Sequence, residues 1–331
     1  MFRRRVVWLV AAIALAILAP AAALPGVHEH WHSDAASTGT GAVQGDWEID
    51  ANRSDGAILL RLRHVEPNQQ WSWSSDVEVS EFTGLSRSRI QGASGPVTFS
   101  LKRDAGSFRC EGRLGHGHGS GDYVFRGNPA FRAELERSGV RDVSDQSLMS
   151  LTIHDVSREW IRELQARGYR TLTLDDMVRL KIHGVDLAYL DGLEGVGYPR
   201  FEADDLVRLK IHGVDPEYIR SLALGDTRLT ADDLVRLKIH GVDAEFVRDL
   251  RGLGYSDLTT DDLVRLRLNG LTSDFVRDMK GLRLPTLTAD DLVRLKLHGV
   301  TPEFARRVKA RHADATVDDL IRIRLRGDTE S

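Results

Sequence analysis

Histidine is the residue type here best suited to chemistry, because imidazole changes charge near neutral pH and binds metal ions. His28, His30 and His32 alternate in one short run. His116 and His118 alternate in another, inside the glycine-rich segment Gly115-His-Gly-His-Gly-Ser-Gly121. Alternate histidines on segments without apolar periodicity can converge on one ion. These five are the metal-ligand candidates, and a metal-binding or metal-dependent envelope protein is the alternative reading of the chain. Five further histidines, His154, His183, His212, His240 and His298, recur at a fixed place in a repeated motif, with Asn269 in one copy. Stacked copies would hold equivalent atoms roughly 10 Å apart, the spacing of packed helices and too far for shared coordination. Asparagine in the same role points to capping of a helix C-terminus. Cys110 is the single cysteine, so no intramolecular disulfide forms, and its alternation with Arg109 and Glu111 makes it a small buried hydrophobe. The sequence holds no H-E-x-x-H, no G-x-S-x-G and no phosphate loop, so the chain reads as non-enzymatic, with no catalytic residue and no cofactor.

Charge is also laid out in ladders. Arg179, Arg208, Arg236, Arg265, Arg294 and Arg322 hold one position of the motif. A row of guanidinium groups suits an anionic polymer or an acidic partner surface. The local reading is helix-internal pairing: Asp232 lies four residues and Asp233 three residues before Arg236, a geometry worth about 0.3–0.5 kcal/mol. Lys181, Lys210, Lys238, Arg267, Lys296 and Arg324 form a second ladder. On a helical wheel it falls inside the apolar arc, as a long stem would if it lay over a seam between copies with its amine reaching out.

The elements that position these residues are written in the motif itself, cleanest as Leu229-Thr-Ala-Asp-Asp-Leu-Val-Arg-Leu-Lys-Ile-His-Gly-Val242. Its first apolar helical residue recurs as Leu148, Met177, Leu206, Leu234, Leu263, Leu292 and Leu320, at intervals of 28 or 29 residues. A fixed period in this range means stacked copies of one supersecondary unit. Thr230 caps the helix and Asp233 completes the capping box, with Glu202 standing at the cap of the third copy. Gly184, Gly213, Gly241, Gly270 and Gly299 are left-handed stops. A second helix then starts at once and is marked by Phe131, Trp160, Tyr189, Tyr218, Phe246, Phe275 and Phe304, expected as a buried aromatic row. The reading is an α-solenoid of seven two-helix repeats over residues 128–331.

Before it, residues 44–127 alternate with period two. Ile58, Leu60 and Leu62 face one way and Arg61 and Arg63 the other, and Asp104-Ala-Gly106 and the 115–121 run supply hairpin turns. This predicts a small antiparallel sandwich or roll, which makes the fold class α+β. Residues 24–43 form a flexible linker. Arg3, Arg4 and Arg5, the apolar run Val6–Ala19 and Ala21-Ala22-Ala23 have the layout of a secretory signal over residues 1–23, or of an uncleaved N-terminal anchor, the only route by which the chain would engage the membrane. Either places the body of the chain outside the cytoplasm. With 45 Lys and Arg against 49 Asp and Glu, there is no basic excess to suit nucleic acid.

The wording L-T-x-D-D-L-V-x-L-x-I-H-G-V-[TD]-P-E-[FY] over residues 128–331 resembles helical repeats in extracytoplasmic regions of some BlaR/MecR-type antibiotic-sensing metallopeptidase proteins and related exported bacterial proteins. The resemblance implies an envelope-associated sensory or regulatory role. The metallopeptidase part, with its zinc motif and multispan membrane domain, is absent from this sequence, so no catalytic residue carries over. The β segment resembles the β-rich region that accompanies such repeats. The function expected is therefore a protein-interaction scaffold with a protein partner in the cell envelope. The second helix varies most between copies, and Arg251, Lys280 and Lys309 make the position five residues after its aromatic basic toward the C-terminus. An elongated partner with an acidic end is expected along that face. The competing face is the first-helix ladder of Arg208, Arg236 and Arg265.

Overall fold

The structure, a computed structural model, describes residues 42–51, 58–66, 69–198, 200–222, 228–284 and 287–327. The expected signal and His28, His30 and His32 lie outside them. Among the described residues no helix is long and apolar enough to cross a membrane. The chain is α+β. Seven antiparallel strands come first: β1 (Val43–Asp50), β2 (Ile58–Glu66), β3 (Gln69–Val77), β4 (Phe82–Thr83), β5 (Gly95–Arg103), β6 (Gly106–Gly115) and β7 (His118–Gly127), with a short helix α1 (Arg87–Gln91) before β5. They form one curled sheet in the order β3-β2-β1-β7-β6-β5-β4. The sandwich alternative is thereby corrected: the described strands join edge to edge instead of dividing into two facing sheets.

Alternation dictates which face is buried. Trp47 pairs with Leu62, Ile49 with Leu60, Leu101 with Phe108, and Cys110 with both Phe99 and Tyr123, all on one buried face. Arg61, Arg63, Arg109 and Glu111 point to solvent. Phe108 meets Tyr123 and Phe125 at ring-centroid distances of 5.3 and 4.9 Å. Burial pushes the Cys110 thiol up to about 12, so it stays protonated and inert, as expected of a small core residue. The glycine-rich register, open in the sequence, is fixed by close approach. Gly112 pairs with Gly121, and a Cβ on Gly121 would meet the Glu111 carbonyl oxygen at 2.0 Å. His116 and Gly117, with φ of 53° and 82°, form the two-residue turn between β6 and β7.

The helical stretch starts two residues after β7. It comprises α2 (Pro129–Arg137), α3 (Asp145–Ile153), α4 (Arg158–Ala166), α5 (Leu174–Ile182), α6 (Leu187–Gly195), α7 (Ala203–Ile211), α8 (Pro216–Leu222), α9 (Ala231–Ile239), α10 (Ala244–Gly252), α11 (Thr260–Leu268), α12 (Ser273–Gly281), α13 (Ala289–Leu297), α14 (Pro302–Arg311) and α15 (Val317–Arg326). The motif helices α3, α5, α7, α9, α11, α13 and α15 each pack on the next, and so do α6, α8, α10, α12 and α14. Capping boxes of Thr with Asp open α5, α9, α11, α13 and α15, whereas Glu202 makes no side-chain cap at α7. The glycine stops have φ between 65° and 70°, the left-handed conformation that only glycine adopts without a steric cost.

The first copy departs from the others where it meets the sheet. Asp155, with φ of 52°, stands where later copies have glycine. Its carboxylate lies 3.7 Å from Arg103 of β5, and Arg103 also donates to the Thr152 and Ile153 carbonyls at 2.9 and 2.7 Å, closing the C-terminus of α3. The helix packs on β6 and β7, and Tyr123 points its hydroxyl at the Met149 sulfur at 3.9 Å.

Candidate interaction surface

Each ladder in the sequence has a structural destination, and most lead inward, to contacts between copies. The second-helix aromatics are all buried, as the period predicts. Among the described residues, however, successive rings do not touch. A ladder cation from the following copy lies over six of the seven instead: Lys181 over Trp160 at 5.4 Å, Lys210 over Tyr189 at 4.5 Å, Lys238 over Tyr218 at 4.1 Å, Arg267 over Phe246 at 3.9 Å, Lys296 over Phe275 at 5.0 Å and Arg324 over Phe304 at 5.5 Å; over Phe131 lies Arg158, at 5.2 Å. This accounts for the lysine inside the apolar arc: its aliphatic stem packs and its charge meets the negative face of a ring. Burial holds the Lys181 amine below the ordinary lysine range, with Asp155 partly opposing. Sequence reasoning missed these pairs. Their signal was a position occupied only by Lys or Arg in six copies, always 20 or 21 residues after an aromatic.

The polar aromatics add a hydrogen bond across the same seam. Trp160 Nε1 donates to the Val185 carbonyl at 3.2 Å, and the Tyr189 and Tyr218 hydroxyls donate to the Val214 and Val242 carbonyls at 2.9 and 2.8 Å. Those carbonyls belong to the valines after the glycine stops. Burial raises both phenols above their usual range, and Asp215 and Asp243 add to the shift.

The arginine ladder also runs between copies. Arg179 pairs with Asp204 at 2.9 Å, Arg208 with Asp232 at 3.1 Å and Arg236 with Asp261 at 2.8 Å, while Arg265 pairs with Asp290 and Arg294 with Asp318. The helix-internal expectation is corrected for the aspartate four residues back, which reaches the arginine of the preceding copy instead. The aspartate three residues back does face its own arginine in Arg179–Asp176, Arg294–Asp291 and Arg322–Asp319. Arg208, Arg236 and Arg265 thus carry charge on the surface while each is already held by a neighbour.

On the second-helix face, Lys280 lies 5.1 Å over the Tyr255 ring, Lys309 donates to the Ala313 carbonyl, and Arg251 is half-buried. Three of the acids that stand three residues after the aromatic bind arginines of the next copy: Glu134 with Arg162 at 3.0 Å, Asp249 with Arg277 at 3.5 Å and Asp278 with Arg306 at 3.3 Å. Burial raises the Glu134 carboxyl, and hydrogen bonds from Arg158 and Arg162 outweigh it, holding the group below the usual carboxylate range. Gly192 and Ser221 occupy that acidic position in α6 and α8, and Arg220 and Arg248 are exposed there.

Histidines of the motif sit at the C-cap of their helices, and Asn269 caps with its side chain, donating Nδ2 to the Arg265 carbonyl at 2.8 Å. Burial, and then Arg179, lower the His183 imidazole below the ordinary histidine range. His118 lies 3.5 Å from Asp50, and His116 is in the β6–β7 turn. No group of three possible metal ligands occurs among the described residues.

One row leads outward. Ile182, Ile211, Ile239, Leu268, Leu297 and Leu325, the fifth residue after each marker, are 41%, 57%, 46%, 62%, 67% and 66% exposed. They are the large hydrophobic residues left exposed among the described residues. Their first-copy counterpart, Ile153, is 2% exposed on the helix that packs against the sheet. On a helical wheel Ile239 falls at the margin of the apolar arc, a place that reads as core until the neighbouring helices are known. Comparison of the chain with protein-family models, with curated proteins and with solved structures finds no match in any of the three.

Proposed function

We propose that the helical stretch is a solenoid of seven two-helix repeats, and that the chain is a non-enzymatic protein-interaction scaffold outside the cytoplasm, serving envelope sensing or regulation. The exposed Ile/Leu row carries this reading. The cations, aromatics, arginines and aspartates of the motif are engaged in contacts between copies or in the caps of their own helices, yet one large apolar side chain per copy faces solvent in six copies. Single exposed apolar residues need no explanation, but a row at one repeated position has the form of a recognition surface. Export rests on the Arg3–Arg5 and Val6–Ala19 pattern.

The test is capture from an envelope extract by three proteins: wild type, Ile211→Ser/Ile239→Ser/Leu268→Ser, and Arg251→Glu/Lys280→Glu/Lys309→Glu. A partner retained by the second-helix variant and lost by the row variant supports the first-helix surface. Loss only in the second-helix variant moves the site to the face that also exposes Arg220 and Arg248. Capture of nothing beyond what an unrelated exported protein takes overturns the scaffold. His118 beside Asp50 bears on the metal alternative. A stoichiometric metal in untagged protein, with a melting temperature lowered by chelator, would establish that reading instead.

A further inference from the structure

We infer that the Ile/Leu row is where a second copy of this chain docks, in an antiparallel two-fold dimer with Ile239 of one protomer opposite Leu268 of its partner. The inference rests on the scaffold reading and names what covers its surface.

Three observations carry it. The first is extent. Each of α5, α7, α9, α11, α13 and α15 brings four surface positions to one side: an aspartate such as Asp232, an arginine such as Arg236, the row residue, and the residue after it. Six such helices offer two dozen residues, within the about 20–30 a side of a stable interface. The row supplies the apolar content that such a patch needs at its centre.

The second observation is charge. Beside the row, Arg179–Asp204, Arg208–Asp232, Arg236–Asp261, Arg265–Asp290 and Arg294–Asp318 form a line in which positive and negative groups alternate, each copy supplying one aspartate and one arginine. A surface of one sign repels itself. An alternating line laid against its own reverse meets opposite charges, so this face is self-complementary in the way an isologous contact requires. A strongly acidic or basic partner gains nothing from it.

The third is continuity. Ile153 occupies the row position in the first copy and is buried at the junction with the sheet, where Arg103 holds its carbonyl. The exposed row begins in the next copy, where that cover ends. A two-fold axis across the middle of six rungs pairs Ile182 with Leu325, Ile211 with Leu297 and Ile239 with Leu268. The period matches throughout, because both sides have the same one.

Sedimentation equilibrium of the full chain into the high-micromolar range should show a monomer–dimer equilibrium. Ile239→Lys and Leu268→Glu, each alone, should weaken the dimer about a hundredfold. Mixed one to one, they should form a heterodimer, because the two-fold sets the new lysine against the new glutamate. Circular dichroism checks that each variant is folded. A wild-type chain that stays monomeric, a dimer that neither change weakens, or a mixture that does not recover overturns the proposal. A monomer that still captures an envelope partner through the row would leave the scaffold intact and give the row to another occupant, an amphipathic helix or a lipid surface.

Discussion

Glycine has opposite uses in the two halves of this molecule. In the sheet it marks where another backbone must come close: a Cβ on Gly121 would meet the Glu111 carbonyl oxygen at 2.0 Å and the Gly112 Cα at 2.6 Å. At the end of α9 it marks where the chain must turn: Gly241 has φ of 67°, and an added Cβ there would meet nothing within 4 Å. The sheet is therefore held by contacts remote in sequence, each made once. The helical stretch is held by local turns and by one seam made again and again. Damage should spread through the whole of the first and remain confined in the second.

Gly121→Val breaks this comparison most severely if it is wrong. It should cost more than about 4 kcal/mol and abolish strand pairing while the helical circular dichroism at 222 nm largely persists. Collapse of both signals together would mean that the halves fold as one unit. Phe246→Ala should cost about 3–5 kcal/mol, yet show as local opening around α10 and α11 in hydrogen exchange. Uniform loss of protection, sheet included, would count against confinement.

Tyr189→Phe and Tyr218→Phe each remove a hydrogen bond to a buried valine carbonyl and should cost about 1–3 kcal/mol. They also sharpen the pH dependence. Both phenols are raised in the folded protein above the ordinary 10.0. Unfolded tyrosine loses its proton first, so their stabilisation is complete below that value and is lost as pH rises through the folded values. The double variant should show a shallower fall of melting temperature on the alkaline side; an unchanged slope would refute it. Gly241→Ala should cost about 1–2 kcal/mol, for handedness alone. A cost as large as that of Gly121→Val would mean a hidden close approach. Arg236→Ala, at a solvent-exposed pair, should cost about 0.2–1 kcal/mol, and less at high salt.

What could be read from the sequence follows the same division. Thr230 with Asp233, and Gly241 before Val242, specify where a helix starts and stops through contacts a few residues apart, and these agree with the structure. Strand positions were legible from the alternation of Ile58, Leu60 and Leu62 with Arg61 and Arg63. The placement of β1 against β7 was not, because nothing near Trp47 announces Gly121 as its partner across the ladder. The short helix α1 was missed. It rests on Ser86 accepting from the Arg89 backbone N–H, and on Arg89 donating to the Gly95 carbonyl at 2.7 Å. A helical wheel describes one isolated helix, so it assigned Asp232 to Arg236 and could not see Arg208. It placed the Lys238 stem over a seam but could not name the ring its amine meets, because Tyr218 lies in the helix before. The exposed row went unseen for the same cause: the wheel put Ile239 at the edge of an arc, and only the neighbouring helices decide whether that edge is covered.

The cation over each ring has a genetic consequence. Six such contacts join an aromatic of one copy to the Lys or Arg of the next, 20 or 21 residues downstream, and the whole phrase restarts after 28 or 29. Excision of one full period therefore splices an orphaned aromatic to another Lys or Arg at the spacing of the one it lost, and duplication of a period supplies both halves of a new contact together. Unequal crossing-over between near-identical stretches such as Ala203–Ile211 and Ala231–Ile239 would lengthen or shorten the array without breaking its grammar. Excision of half a period would remove one side of a contact and strand the ring or the charge left behind. Such an array can drift in length over generations while its cross-section stays constant, provided the first copy, with Asp155 and Arg103 in place, is left alone.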